Sequence, residues 1–202
     1  MKTAREVILD AVRRNVPRPA VALPPLPASR TQEEPLLPRF RTELEAMGGR
    51  SFAAADAAAA RTRIAELFAD AKVVCSAVPE VPGTCRVEQL QDPHELRDVD
   101  VGVVRSRLGV AEAGAVWLTQ EDLVMNALGV LSQHLVVLLD PGAIVATLHD
   151  AYARLDAAAS PYGVFMAGPS ATGDIEGVII HGAQGARSLT VLFLHEQNHS
   201  IR

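Results

Sequence analysis

The chain has 202 residues, of which 49% are hydrophobic and 21% charged, and its formal net charge is -5. That length suits one ordinary domain with a small appendage and a sizeable core, and the composition is that of a globular protein, not a disordered chain or a coiled coil. The acidic excess argues against a nucleic-acid partner, because phosphate-backbone binders gather Lys and Arg on one face.

At the N-terminus, "MKTAREVILDAVRRNV" scatters charges where a secretory leader needs an apolar centre, and no stretch approaches the ~18 apolar residues of a membrane span. A cytoplasmic protein without a membrane span is the expectation. Thr3 and Glu6 have capping-box spacing, and Val7, Ile8, Ala11 and Val12 follow on one face, so residues 4–14 read as a short amphipathic helix. Seven of the thirteen prolines then fall between Pro17 and Pro38, an extended tether with few backbone donors. Residues 1–38 are therefore expected to form an arm, and residues 39–202 the body.

In the body, Phe40, Leu44 and Met47 mark a helix ended by Gly48-Gly49, and Ile64, Leu67 and Phe68 mark another that starts near Asp56. The Ala-rich "FAAADAAAA" between them is compatible with packed helix, and "KVVCSAV" reads as the first good strand. Cys75 and Cys85 lack C-x-x-C spacing and supply too few thiolates for an iron–sulfur cluster, so they read as two buried thiols.

Further strands are expected near Asp100–Ser106 and Ala115–Thr119, where Trp117 is a core candidate. "HLVVLLD" is a continuous apolar run, "AIVATLHDAYARL" has helical periodicity through Ile144, Val145, Leu148, Tyr152 and Leu155, and "PYGVFMAG" is again short and apolar. These three predict a β-α-β unit with parallel strands, the first joined to its helix by a turn that Asp140 caps. Runs at Gly177–His181 and Leu189–Leu194 are joined by "GAQGARS", which suits a hairpin-like reversal. The sum is an α/β layered domain with a mostly parallel sheet and some antiparallel edge pairing.

Residues 195–199 read H-E-x-x-H, a zinc-peptidase pattern that works only on a helix, where both histidines project to one side. Here the motif follows the strand pattern "SLTVLFL", and on an extended segment the two histidines would stand about 13 Å apart. No metal site is expected. His134, His149 and His181 are isolated from one another and read as structural histidines.

Two glycine-bearing segments are better candidates for chemistry. In "LGVAEAGAVWL", Glu112 sits among small apolar residues between Gly109 and Gly114. Desolvation there would suit a general base or carboxylate nucleophile, while the plainer alternative is that Glu112 caps backbone donors or pairs with Arg105 or Arg107. In "FMAGPSATGDIEGVIIHG", Gly168 ends a strand and Ser170 or Thr172 is placed to cap a short helical turn whose N–H groups favour an anion, with Asp174 and Glu176 following. An ordinary turn is the alternative.

Together the two segments resemble the LUD-domain family, specifically its lactate utilization protein C branch. Members carry G-x-A-E-T-G-T in the first segment and G-P-S-[RK]-T-A-D-I-E-x-x-L-V-x-G-x-H-G-P-x-x-L in the second. The resemblance runs from roughly Ala71 to Leu194. This chain departs from it at Ala113 and Ala115, where the family has threonines, at Ala171 in place of a basic residue, and at Gly173 in place of alanine. The resemblance implies a Rossmann-like three-layer α/β/α fold, similar to the sugar-phosphate isomerase and CoA-transferase superfamily. It also implies a role in oxidising L-lactate to pyruvate beside partner subunits that carry iron–sulfur clusters, with no cofactor held by this chain. A function of another class stays open: a stand-alone enzyme or binder of a small anionic metabolite such as a phosphosugar, hydroxy acid or CoA thioester. In that case Glu112 would be catalytic, and Gly109, Gly114, Gly168, Ser170, Thr172, Asp174 and Glu176 would form the ligand cradle.

Overall fold

The structure, a computed structural model, describes residues 2–16, 35–156, 159–175 and 177–195, apart from the side chains of Asp174 and Ile175. Most of the proline-rich tether and the motif positions 196–199 therefore lie outside the described residues. Helix α1 (Ala4–Asn15) has its reciprocal Thr3/Glu6 capping box, and none of its residues is buried.

The central sheet forms from runs that are apolar without alternation, because both of its faces are covered. It has six strands: β1 (Arg50–Ala53), β2 (Val74–Ser76), β3 (Cys85–Arg86), β4 (Val101–Ser106), β7 (His134–Leu139) and β12 (Ser188–Phe193), in the order β1-β12-β7-β4-β2-β3 and parallel throughout. In β7, Leu135, Val137 and Leu139 enter one core while Val136 and Leu138 enter the other. Helix α3 (Ala57–Leu67), capped by Asp56 as its sequence predicts, covers the second of these faces through Ala60 and Ile64.

The first face carries α2 (Leu36–Ala46), α4 (Gln120–Leu123), α5 (Leu128–Leu131) and a second sheet. That sheet has the order β8-β5-β6-β9, from β5 (Leu108–Val110), β6 (Ala115–Thr119), β8 (Ile144–Val145) and β9 (Gly163–Met166). Helix α6 (Leu148–Arg154) packs on its outer side over Leu108, Val110, Ala115 and Val145. Strands β10 (Ala171–Ile175) and β11 (Val178–His181) form a separate antiparallel hairpin. The architecture is a three-layer α/β fold around a parallel sheet, with the antiparallel pairing gathered in the two smaller sheets.

Several local expectations change. The β-α-β unit does not form: Ile144–Val145 is a strand, not helix, and β9 pairs antiparallel with β6 instead of joining β7. The helical periodicity read through Ile144 came from residues buried on a strand. The start of "FAAADAAAA" is strand β1, not helix, since Phe52 pairs with Leu192 at the sheet edge. The reversal at "GAQGARS" is not a hairpin either, because β11 pairs with β10 while β12 inserts between β1 and β7. Helix α2 begins at Leu36, with Pro38 in its first turn where proline is tolerated.

Helix α2 is held where three backbone segments come close to it. A Cβ on Gly114 (φ +55°) would lie 2.1 Å from the Leu44 nitrogen, and one on Gly168 (φ +71°) would lie 2.1 Å from the Met47 carbonyl oxygen. Gly109 faces Phe40, whose ring meets Phe193 of β12 edge-on at 5.8 Å. At the other end of the sheet, Asp100 accepts from the Lys72 and Val73 amides at 2.7 and 2.9 Å and so ties the entry of β2 to that of β4.

Gly114→Ala is expected to cost about 2–4 kcal/mol, because it adds a clash to a left-handed backbone. Gly173→Ala, with nothing within 4 Å of its Cβ position, should stay within about 0.5 kcal/mol of wild type; urea denaturation of both variants measures the difference. The bonds from the Val73 and Lys72 amides hold the Asp100 carboxyl below its ordinary range. Its contribution is thus present above the unfolded-state value and lost as pH falls through the lower folded value. Asp100→Asn should be less stable than wild type at neutral pH, and the gap should close in acid.

Candidate functional site

The sequence-derived residues separate into two places. Glu112 lies in a 3-10 turn between β5 and β6, where its Oε1 accepts the Leu148 amide at 2.6 Å and its own amide donates to the Ala146 carbonyl. It therefore caps a donor at the start of α6. The two nearby arginines do not pair with it: Arg105 pairs with Glu80 at 2.7 Å and Arg107 with Asp122 at 3.1 Å. Gly109 and Gly114 turn toward α2, as described above.

The second group surrounds the loop before β10. Ser170 does not cap a helical turn, because the chain continues directly into β10. Its amide donates to the Ala186 carbonyl, and its carbonyl accepts from the Gly182 amide. Gly168 and Ser170 line a cavity of about 210 Å³ with Pro169, Gly185 and Met166, while Thr172 sits opposite Ile180 in the hairpin. Asp174 lies on β10 and Glu176 falls outside the described residues.

A larger cavity, about 620 Å³, opens beside the second sheet and takes in none of these residues. Its apolar lining includes Leu108, Trp117, Leu155 and Pro161, and its polar rim includes Arg107, Arg154, Thr119, Glu121 and Asp122. Trp117 pairs with Phe165 across β6 and β9 with ring centroids 4.6 Å apart. Gly163 must be glycine here, since a Cβ would stand 2.2 Å from the indole.

Asp122 organises the rim. Its carboxylate is nearly buried, at 4% exposure, and accepts the Thr119 amide at 3.0 Å and hydroxyl at 2.8 Å in the capping box that starts α4. Its other oxygen pairs with Nε of Arg107, so one edge of a largely exposed guanidinium is fixed. A fixed arginine fork is suited to carboxylate or phosphate recognition. Arg154, from the last turn of α6, has no hydrogen-bond or ion-pair partner among the described residues. The Thr119 hydroxyl beside Glu121 holds that carboxyl below its usual range, with smaller contributions from its own amide, the Ser160 hydroxyl and the Arg107 charge.

Sequence reasoning missed this cavity, although a signal was present. Thr119-x-x-Asp122 directly after a strand and Thr147-x-x-Asp150 before α6 are both capping boxes, and they place Arg107 and Arg154 by fixing the elements around them. Trp117, read as core, is half-buried and lines the cavity.

The seat of Glu112 can be tested directly. Glu112→Ala leaves the Leu148 amide without its acceptor and should lower stability by about 1–3 kcal/mol. Glu112→Gln keeps an acceptor and should retain most of it. Chemical denaturation of the pair reads the difference.

The LUD domain family matches residues 84–194. The fold is similar to that of a crystal structure of a DUF162 family protein from Deinococcus radiodurans, with a TM-score of 0.58 and 18% sequence identity over 83% of this chain and 99% of that one. No curated protein matches the sequence. No helix among the described residues is long and apolar enough to cross a membrane. With the family match covering more than half of its residues, the chain belongs to the LUD domain family.

Proposed function

We propose that the chain acts in the lactate utilization protein C branch of its family, as a component of a system that oxidises L-lactate to pyruvate together with iron–sulfur partner subunits. In this reading it holds a small anionic metabolite of the carboxylate or phosphate class in the Arg107–Arg154 cavity. The LUD family is linked generally to lactate utilization, and the observation that carries the ligand assignment is that Arg107 and Arg154 line one cavity together with Trp117.

The chemistry follows from the surroundings. Asp122 orients Arg107 but occupies only one edge of it, which leaves further donors for an incoming anion. Trp117 and Leu155 exclude water from the apolar side of the ligand, and lowered local polarity strengthens a charge-assisted hydrogen bond. Glu112 takes a structural part in this reading, by seating α6 and with it Arg154. Electron transfer out of lactate falls to the partner subunits, since the two cysteines of this chain are fewer than the four thiolates that hold a cluster.

Two measurements check the proposal. Lactate, pyruvate and inorganic phosphate are titrated in turn against the thermal transition. A ligand at 100 times its Kd should add about 2.7 kcal/mol of stability, and the rise should vanish in Arg107→Ala/Arg154→Ala. No response to any of these anions would end the ligand assignment. In a strain deleted for the protein, lactate-dependent electron-acceptor reduction should be lost, and wild type should restore it. Retention of activity in the deleted strain would end the lactate assignment.

A further inference from the structure

Cys75 and Cys85 stand apart from both cavities and take no part in the function proposed above. They lie on adjacent parallel strands, and the register of β2 against β3 sets them directly opposite each other. Neighbouring strands run about 4.8 Å apart, within the roughly 4.4–6.8 Å between Cα atoms that a disulfide spans. Both thiols fall on the same side of the sheet, with Sγ atoms 3.7 Å apart. Cys75 is buried while Cys85 is half-buried, on a strand of two residues at the outer edge of the sheet.

We propose that Cys75 and Cys85 form a reversible redox pair, in which a peroxide oxidises Cys85 and Cys75 resolves it into a disulfide that staples β3 to β2. The Cys85 sulfur, which water reaches, attacks the peroxide O–O bond as thiolate. It becomes a sulfenic acid, and the leaving oxygen takes a proton and departs as water or alcohol. The Cys75 sulfur then attacks the Cys85 sulfur, the S–O bond breaks, and the hydroxyl leaves as water with the proton from Cys75. Two thiols are oxidised by two electrons in all, and one peroxide is reduced.

The order of events follows from the surroundings of each thiol. Burial, followed by the contact with Cys85, pushes the Cys75 thiol up to about 12, so it stays protonated and does not make the first attack; in the second step the hydroxide leaving Cys85 takes the Cys75 proton as the sulfurs join. The loop between the two cysteines already presses on β2: a Cβ on Gly83 would stand 2.1 Å from the Val74 carbonyl oxygen, and the Thr84 hydroxyl accepts from the Val74 amide at 2.9 Å. A short edge strand held in this way needs only a small shift to bring the sulfurs from contact to bond.

The test uses the full chain, fully reduced and then treated with hydrogen peroxide. It is quenched with N-ethylmaleimide under denaturing conditions and weighed intact. The expected product is a monomer lighter by two hydrogens that takes up no maleimide, with both thiols recovered after dithiothreitol. In Cys75→Ser, dimedone should trap a sulfenic acid at Cys85, and in Cys85→Ser the remaining Cys75 should stay unreacted. The wild-type measurement stands if either variant fails to fold. Two maleimides retained after peroxide, sulfinic acid at Cys85 beside a free Cys75, or a disulfide between chains would each overturn the pairing.

Discussion

Helix α2 is the contact on which the two-sheet arrangement depends. Its Phe40 reaches Phe193 in the central sheet and Gly109 in the second, while Leu44 and Met47 rest against the backbones of Gly114 and Gly168. Arg41 adds its guanidinium over the Phe193 ring at 5.1 Å. Close packing of this kind tolerates little added volume. The helix touches backbone as well as side chains, so the constraint falls on glycine itself and not on a choice among apolar residues.

The same contacts give glycines that read as a ligand cradle a packing use of their own. In sequence, a Gly-rich loop next to a strand is equally consistent with close approach of a phosphate and close approach of a helix, because both require the same missing Cβ. What separates the two is the partner, and here the partner at Gly114 and Gly168 comes from residues far earlier in the chain.

Elements whose pattern is local were legible. The capping box at Thr3, the Asp56 cap of α3 and the unbroken apolar run of β7 were read with near-final bounds, because their signals sit within a few residues of the element they define. What was not legible was which strands share a sheet. β9 looks like a parallel partner for β7, yet its residues are half-buried or exposed while those of β7 are nearly all buried, which places it in a sheet with one face nearer to water. The cavity was hidden for a related reason: Arg107, Trp117 and Arg154 are dispersed in sequence and meet only once β5, β6 and α6 are stacked.

The place of β12 has a consequence for how the molecule assembles. It lies between β1 and β7 and follows every other described strand in the sequence, so the central sheet stays split until it arrives. Before then β1 has no neighbour and β7 presents an unpaired edge of almost entirely apolar residues. Joining β1 to β12 closes a loop of well over a hundred residues, a non-local step of the kind that slows folding and leaves exposed edges open to other chains. A copy in which β12 is undocked therefore leaves the edges of β1 and β7 open to association with other chains.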